Sequence, residues 1–163
     1  SSDISSSVEE ILKELKSLGL SYISGITQYL LCDQTRANPL EYLKCQRLIS
    51  RCGLKTISNL RVSGEHSLLE YAIHLFQLRQ LQDQTQSIAG HFIDSCPTNS
   101  RIFSEFYTPG HYFQVICLAR LILDNVYNIA ISPKVFGNPF AKLLAALVGG
   151  HNVQENKTLL RQI

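Results

Sequence analysis

The side chains able to do chemistry in this sequence are few, and most of them are basic. Between Gln34 and Gly64 lie Arg36, Lys44, Arg47, Arg51, Lys55 and Arg61, with Glu41 as the single acid. Lys44, Arg47, Arg51 and Lys55 step by three, four and four, one narrow arc of a helix that persists through Gly53. Cations fixed on a rigid element neutralise phosphates and release counterions, so the six are read as RNA-binding. The bland alternative is a solvated face of the kind most surface helices carry. Arg61 and His66 form a second pair, in which an arginine would steady a phosphate and a histidine move a proton. The pair is short and a Ser-Gly turn separates its members, so a solvated arginine and a surface histidine are the preferred reading. His74, His91 and His111 fall on expected helices without a His-x-x-x-His repeat or a carboxylate at ligand spacing. They are read as hydrogen-bonded or interfacial. No glycine-rich phosphate loop and no serine nucleophile elbow is present. The chain is therefore read as no enzyme, with no cofactor and no metal site.

Aromatic residues make a second cluster. Phe103, Phe106, Tyr107, Tyr112 and Phe113 surround Pro109-Gly110. Such a group stacks on bases, docks a protein, or staples a loop onto the core. Tyr107, His111 and Tyr112 are expected to be its partner-facing members.

The elements that must position these residues read as helices. Val8, Ile11, Leu12, Leu15 and Leu18 recur at helical spacing, and Leu20 to Leu31 continue the stripe past Gly19. Asn38-Pro39, Thr108-Pro109 and Asn138-Pro139 each pair a capping side chain with a proline at the first helical position. They predict helices from Pro39 to about Cys52, from Pro109 to about Ile131 and from Phe140 to Val148. A short helix is expected over Leu54 to Leu60, and a long amphipathic one from His66 as far as Ile93. The Pro109 helix is the most apolar and is expected at the centre. No sustained period-two pattern is found. The expected fold is all-α: a single-domain bundle of six to eight helices with one long buried helix. Residues 1–7 would be a frayed lead-in, 8–150 the helical domain and 151–163 a polar tail able to dock.

Composition bounds these expectations. The chain has 163 residues, enough for one core. Hydrophobic residues make up 45% and charged residues 17%, which excludes a disordered tail and suggests apolar surface awaiting a partner. Lys and Arg number 15 against 13 Asp and Glu, so bulk charge decides nothing about nucleic acid. Five cysteines without a CxxC pair read as buried thiols of a reducing compartment. The opening residues carry no signal-peptide pattern, and a start at Ser1 reads as a region excised from something longer. Val115 to Ile131 contains Arg120, Asp124, Asn125 and Asn128, too polar for a membrane span.

Gln34-Thr35-Arg36-Ala37, the basic stripe, and then Thr108-Pro109-Gly110-His111-Tyr112-Phe113 leading into an apolar helix carry a family resemblance. In order and approximate spacing they resemble the helical protein subunit specific to RNase MRP. They also resemble the related amino-terminal domain of the nucleolus and neural progenitor protein family. The resemblance implies a non-catalytic RNA-associated subunit of a nuclear ribonucleoprotein that processes precursor ribosomal RNA. Gln34 and Arg36 would be family positions. The partners would be RNA and protein subunits, with no membrane and no small-molecule substrate. The implied location is the nucleus, in particular the nucleolus, with the cytoplasm left open. The rival expectation is a helical protein–protein interaction module in a large assembly. A third, a ribonuclease using Arg61 and His66, is the least favoured.

Overall fold

The computed structural model describes residues 2–23, 27–28, 39–63, 66–95, 108–132, 143, 146 and 151–152. These form an α/β fold around a parallel sheet, which overturns the all-α expectation. In chain order the elements are α1 (Ser2–Ser17), β1 (Tyr22–Ile23), β2 (Thr27–Gln28), α2 (Pro39–Arg51) and β3 (Lys55–Val62). There follow α3 (Leu68–Thr85), β4 (Ile88–Ser95), α4 (Pro109–Ile122), β5 (Ile129–Ile131) and β6 (His151–Asn152).

Every strand pairing is parallel. The sheet runs β1, β3, β4, β5, β6, and β2 also lies against β3, farther along it than β1. Neighbours in the sheet therefore follow chain order in one direction. Parallel crossovers are right-handed, so a strand order that never reverses puts every crossover helix on the same face. The packing agrees. One core cluster joins Leu60 and Val62 of β3, Ile93 of β4 and Ile129 and Ile131 of β5 to Leu75, Leu78 and Leu81 of α3 and Val115, Ile116 and Ala119 of α4. A smaller cluster of Ile49, Cys52 and Leu54 is closed by Leu12 of α1.

The opposite face of the sheet carries Ile57, Asn59 and Arg61 from β3, Phe92 and Asp94 from β4, and Ala130 from β5. All six are only half-buried, and no described helix covers them.

The differences from the sequence expectation have local causes. Lys55–Val62 is a strand whose helix-side residues are Thr56, Ser58, Leu60 and Val62, all buried. Two of those four are hydroxyl residues, so the alternation is one of burial and not of polarity. The long helix expected from His66 stops at Thr85. Gln86 adopts the left-handed conformation at φ 49° and ψ 27°, and its N–H returns to the Gln82 carbonyl. The residues beyond it are β4. The Pro109 helix ends at Ile122; Asp124 and Asn125 turn the chain into β5. Leu20 to Leu31 is not helical where described, since β1 and β2 fall within it.

Two of the expected helix starts hold. α2 begins at Pro39. Thr108 caps α4, its side chain accepting from the His111 N–H at 3.1 Å. The Asn138-Pro139 start lies outside the described residues, as does most of Phe140 to Val148. On the outer side of α3, Leu69, Ile73 and Phe76 are exposed.

Candidate functional site

Parallel sheets present their ligand sites beyond the carboxyl ends of the strands, where loops from several strands meet. Here β3 ends at Val62 with Ser63 just beyond it, and α3 and α4 are the helices that follow β3 and β4 in the chain. An open cleft of about 610 Å³ lies there, lined by Leu68 and by His66, Ser67, Thr108, Gly110, His111 and Gln114.

Several of the lining residues are held by visible contacts. Ser67 caps α3 in a reciprocal arrangement: its hydroxyl accepts from the Glu70 N–H at 3.3 Å, and the Ser67 N–H donates to Glu70 Oε2 at 2.7 Å. Those Ser67 contacts, backbone first, hold the Glu70 carboxyl below the usual carboxylate range, and His66 adds to the effect. Glu70 Oε1 faces His66 Nδ1 at 3.5 Å. The His66 ring is 7% exposed, and its Nε2 meets no hydrogen-bond partner among the described residues.

Tyr71, fully buried, ties this corner to the sheet. Its hydroxyl accepts from the Ser63 N–H at 2.9 Å and donates to the Ser63 carbonyl at 3.0 Å. Its ring stands 6.0 Å from that of His66 and 6.0 Å from that of His111. Two imidazoles from two helix starts thus flank one tyrosine. Burial holds the His111 imidazole below its usual value, and a hydrogen bond with the Ser63 backbone partly offsets this. The Ser63 hydroxyl is buried and has no partner among the described residues. Imidazole, carboxylate and phenol within one corner can position a small ligand and exchange protons with it.

A second polar group is sealed in the core between the helices and the sheet. Ser58 Oγ lies 2.7 Å from His91 Nδ1, and Thr56 donates to Gln46 Oε1 at 2.6 Å. Burial pushes His74 down to about 4 and His91 to about 3, so both are neutral. Burial also pushes the Tyr42 phenol up. This group is structural: His74 is 3% exposed and His91 1%, and neither lines the cleft.

The residues expected to bind RNA do not gather in one place. Lys44, Arg47 and Arg51 are exposed on α2, with Lys44 paired to Glu41 at 2.8 Å. Lys55 is not on that helix, because the chain turns at Gly53, φ 70°, and Lys55 opens β3. Arg61 sits near the other end of β3, half-buried on the helix-free face. Arg36 lies outside the described residues. Of the three expected partner-facing residues, Tyr107 also lies outside them. Tyr112 is buried and donates to the Ile93 carbonyl at 3.0 Å. His111 does line the cleft. His66, expected at the surface, is buried at the cleft wall. The signal that could have exposed the site is Ser67-x-x-Glu70, a capping box directly after His66. It places that histidine at a helix start.

Fold and site together define a class: a singly wound parallel β/α unit with its polar corner at the carboxyl ends of the strands. Its relatives belong among enzymes. No family model matches the chain. It is 28% identical over 149 residues to a cyclic dehypoxanthine futalosine synthase of Halalkalibacterium halodurans, covering 85% of this chain and 40% of that protein. It is 25% identical over 137 residues to a 5-amino-6-(D-ribitylamino)uracil–L-tyrosine 4-hydroxyphenyl transferase of Methanosarcina acetivorans, covering 75% of this chain and 36% of that one. The chain thus spans about two-fifths of the length of these curated relatives.

These findings overturn the expectation of a non-enzymatic, all-α ribonucleoprotein scaffold. The fold is α/β, and both relatives are named as enzymes. Among the described residues no helix is long and apolar enough to cross a membrane, and no three His, Cys, Asp or Glu are grouped to hold a metal ion.

Proposed function

We propose that this chain is an enzyme, or a part of one, that binds a small organic substrate at the carboxyl ends of β3 and β4. The observation that carries this is the meeting of His66 and His111 on either side of Tyr71 at the cleft wall. They lie where a one-way parallel sheet positions catalytic groups. The relatives support the reading by their names. One is a synthase of a cyclic dehypoxanthine futalosine, the other transfers a hydroxyphenyl group between L-tyrosine and a ribitylamino-uracil. Substrates of that size suit a cleft of about 610 Å³. The reading departs from the sequence expectation of no small-molecule substrate.

In this reading His66 and His111 are the groups that exchange protons with the ligand. Glu70 orients His66, and Tyr71 holds Ser63 and separates the two rings. Gln114, one turn into α4, supplies a neutral hydrogen-bonding side chain. The test is a thermal-shift titration with L-tyrosine, uracil nucleosides and related ring compounds. A ligand that binds only the folded state raises the melting temperature saturably. We expect at least one compound class to do so, with the effect lost in His111→Ala. A panel without any saturable response would contradict the reading.

A further inference from the structure

The cleft is bounded by the amino ends of two helices. Ser67 caps α3 and Thr108 caps α4, and both line it. A helix start presents unpaired N–H groups and about half a positive charge. At α3 that field is already met, because Glu70 sits in the first turn and takes the Ser67 N–H. At α4 it is not. No acidic residue occupies the first turn, Pro109 has no N–H, and the cap takes the His111 N–H, so the Gly110 N–H remains at the cleft wall. Gly110 also leaves the backbone accessible, with only the Thr108 hydroxyl near the place a Cβ would take, at 3.6 Å.

The second observation is independent of the helix end. His66 is more than nine-tenths buried and lines the same cleft. Glu70 occupies its Nδ1 side, and its Nε2 has no partner among the described residues. The Nε2 of His111 is in the same condition. An imidazolium donates strongly to an anion, and an anion seated beside an imidazole favours its protonated form. Glu70 of α3 stands against the His66 ring, and Tyr71 of the same helix stands against both rings.

We propose that the cleft between the starts of α3 and α4 seats an oxyanion of the ligand, a phosphate or a carboxylate group. The Gly110 N–H and the two imidazoles would be its donors. This rests on the small-molecule reading above and names the chemical class that the site recognises.

The probes are inorganic phosphate and acetate, each titrated into the whole protein while histidine ring protons and backbone amides are followed by NMR. His74 and His91 serve as internal references for an intact core. We expect saturable shifts at Gly110, His66 and His111, a raised titration midpoint for His111, and no movement of His74 or His91. His111→Ala and His66→Gln should each weaken binding by about tenfold, the loss of one hydrogen bond to a charged group, with reference resonances unchanged. Stronger binding of phosphate would assign a phosphorylated ligand, and stronger binding of acetate a carboxylate.

Shifts that rise without saturating, shifts centred on Lys44 and Arg47, or binding unaffected by both substitutions would overturn the proposal. Failure of this proposal alone would leave the cleft responsive to uncharged nucleosides. Failure of the small-molecule reading would leave it responsive to nothing.

Discussion

Tyr71 joins the sheet to the candidate site through one oxygen. It satisfies both backbone groups of Ser63, and its ring separates two histidines. Tyr71→Phe keeps the ring but leaves the Ser63 N–H and carbonyl without that partner in a buried place. It should cost about 1–3 kcal/mol in urea denaturation.

The core histidines set the response to acid. Their folded-state values, about 4 for His74 and about 3 for His91, lie below the ordinary 6.5. The unfolded chain therefore binds protons that the folded chain refuses. Stability from this source is complete above pH 6.5 and falls as pH drops towards 4 and then 3. The slope is up to about 1.4 kcal/mol per pH unit for each histidine. Urea midpoints measured down that range should show it, and His91→Gln should roughly halve the slope.

Among the elements, α3 is the most informative, because it ends without glycine or proline. Gln86 is exposed and left-handed, a conformation glycine takes at little cost. Gln86→Gly should therefore stabilise the protein by about 0.5–1 kcal/mol, read as a raised melting temperature. The same residue explains how an α/β chain reads as helical. Nothing in Thr85-Gln86-Ser87 announces a stop, so the apolar spacing of α3 runs on into Ile88 and Ile93. In β3 the residues facing the helices are Thr56, Ser58, Leu60 and Val62, and the hydroxyls disguise a period of two. They are tolerated there because Gln46 and His91 reach them from α2 and β4, contacts made only by the fold. The proline-marked starts of α2 and α4 are legible, being fixed by local chemistry, and so is the apolar spacing of Val8 to Leu15; but α1 already begins at Ser2, inside the expected frayed lead-in. The place of His111 beside Thr108-Pro109-Gly110 is legible in the sequence. The spacing of His66 to Arg61 points elsewhere: Arg61 lies on the helix-free face while His66 lines the cleft.

On the scale of the whole molecule, the sheet is one-sided among the described residues. All-parallel sheets occur almost only with both faces covered, and a strand order that steps in one direction is the order from which closed β/α barrels are built. The relatives are more than twice as long as the part of them this chain matches. Two adjacent residues of β4 report the asymmetry. Ile93 is fully buried under the helices and Phe92 is half-buried on the other face. Ile93→Ala should cost about 2–5 kcal/mol, and Phe92→Ala about 1 kcal/mol or less, both by urea denaturation of this chain. Similar costs at the two positions would show that the second face is covered too.

The most direct measurement is a map of backbone amide shifts across the described residues as a responsive ring compound is titrated in. Binding at the carboxyl ends of the strands predicts changes confined to Val62, Ser63, His66 to Leu68, Thr108 and Gly110 to Gln114. Changes centred on Lys44, Arg47 and Arg51 of α2, with the residues around His66 and His111 unmoved, would contradict it.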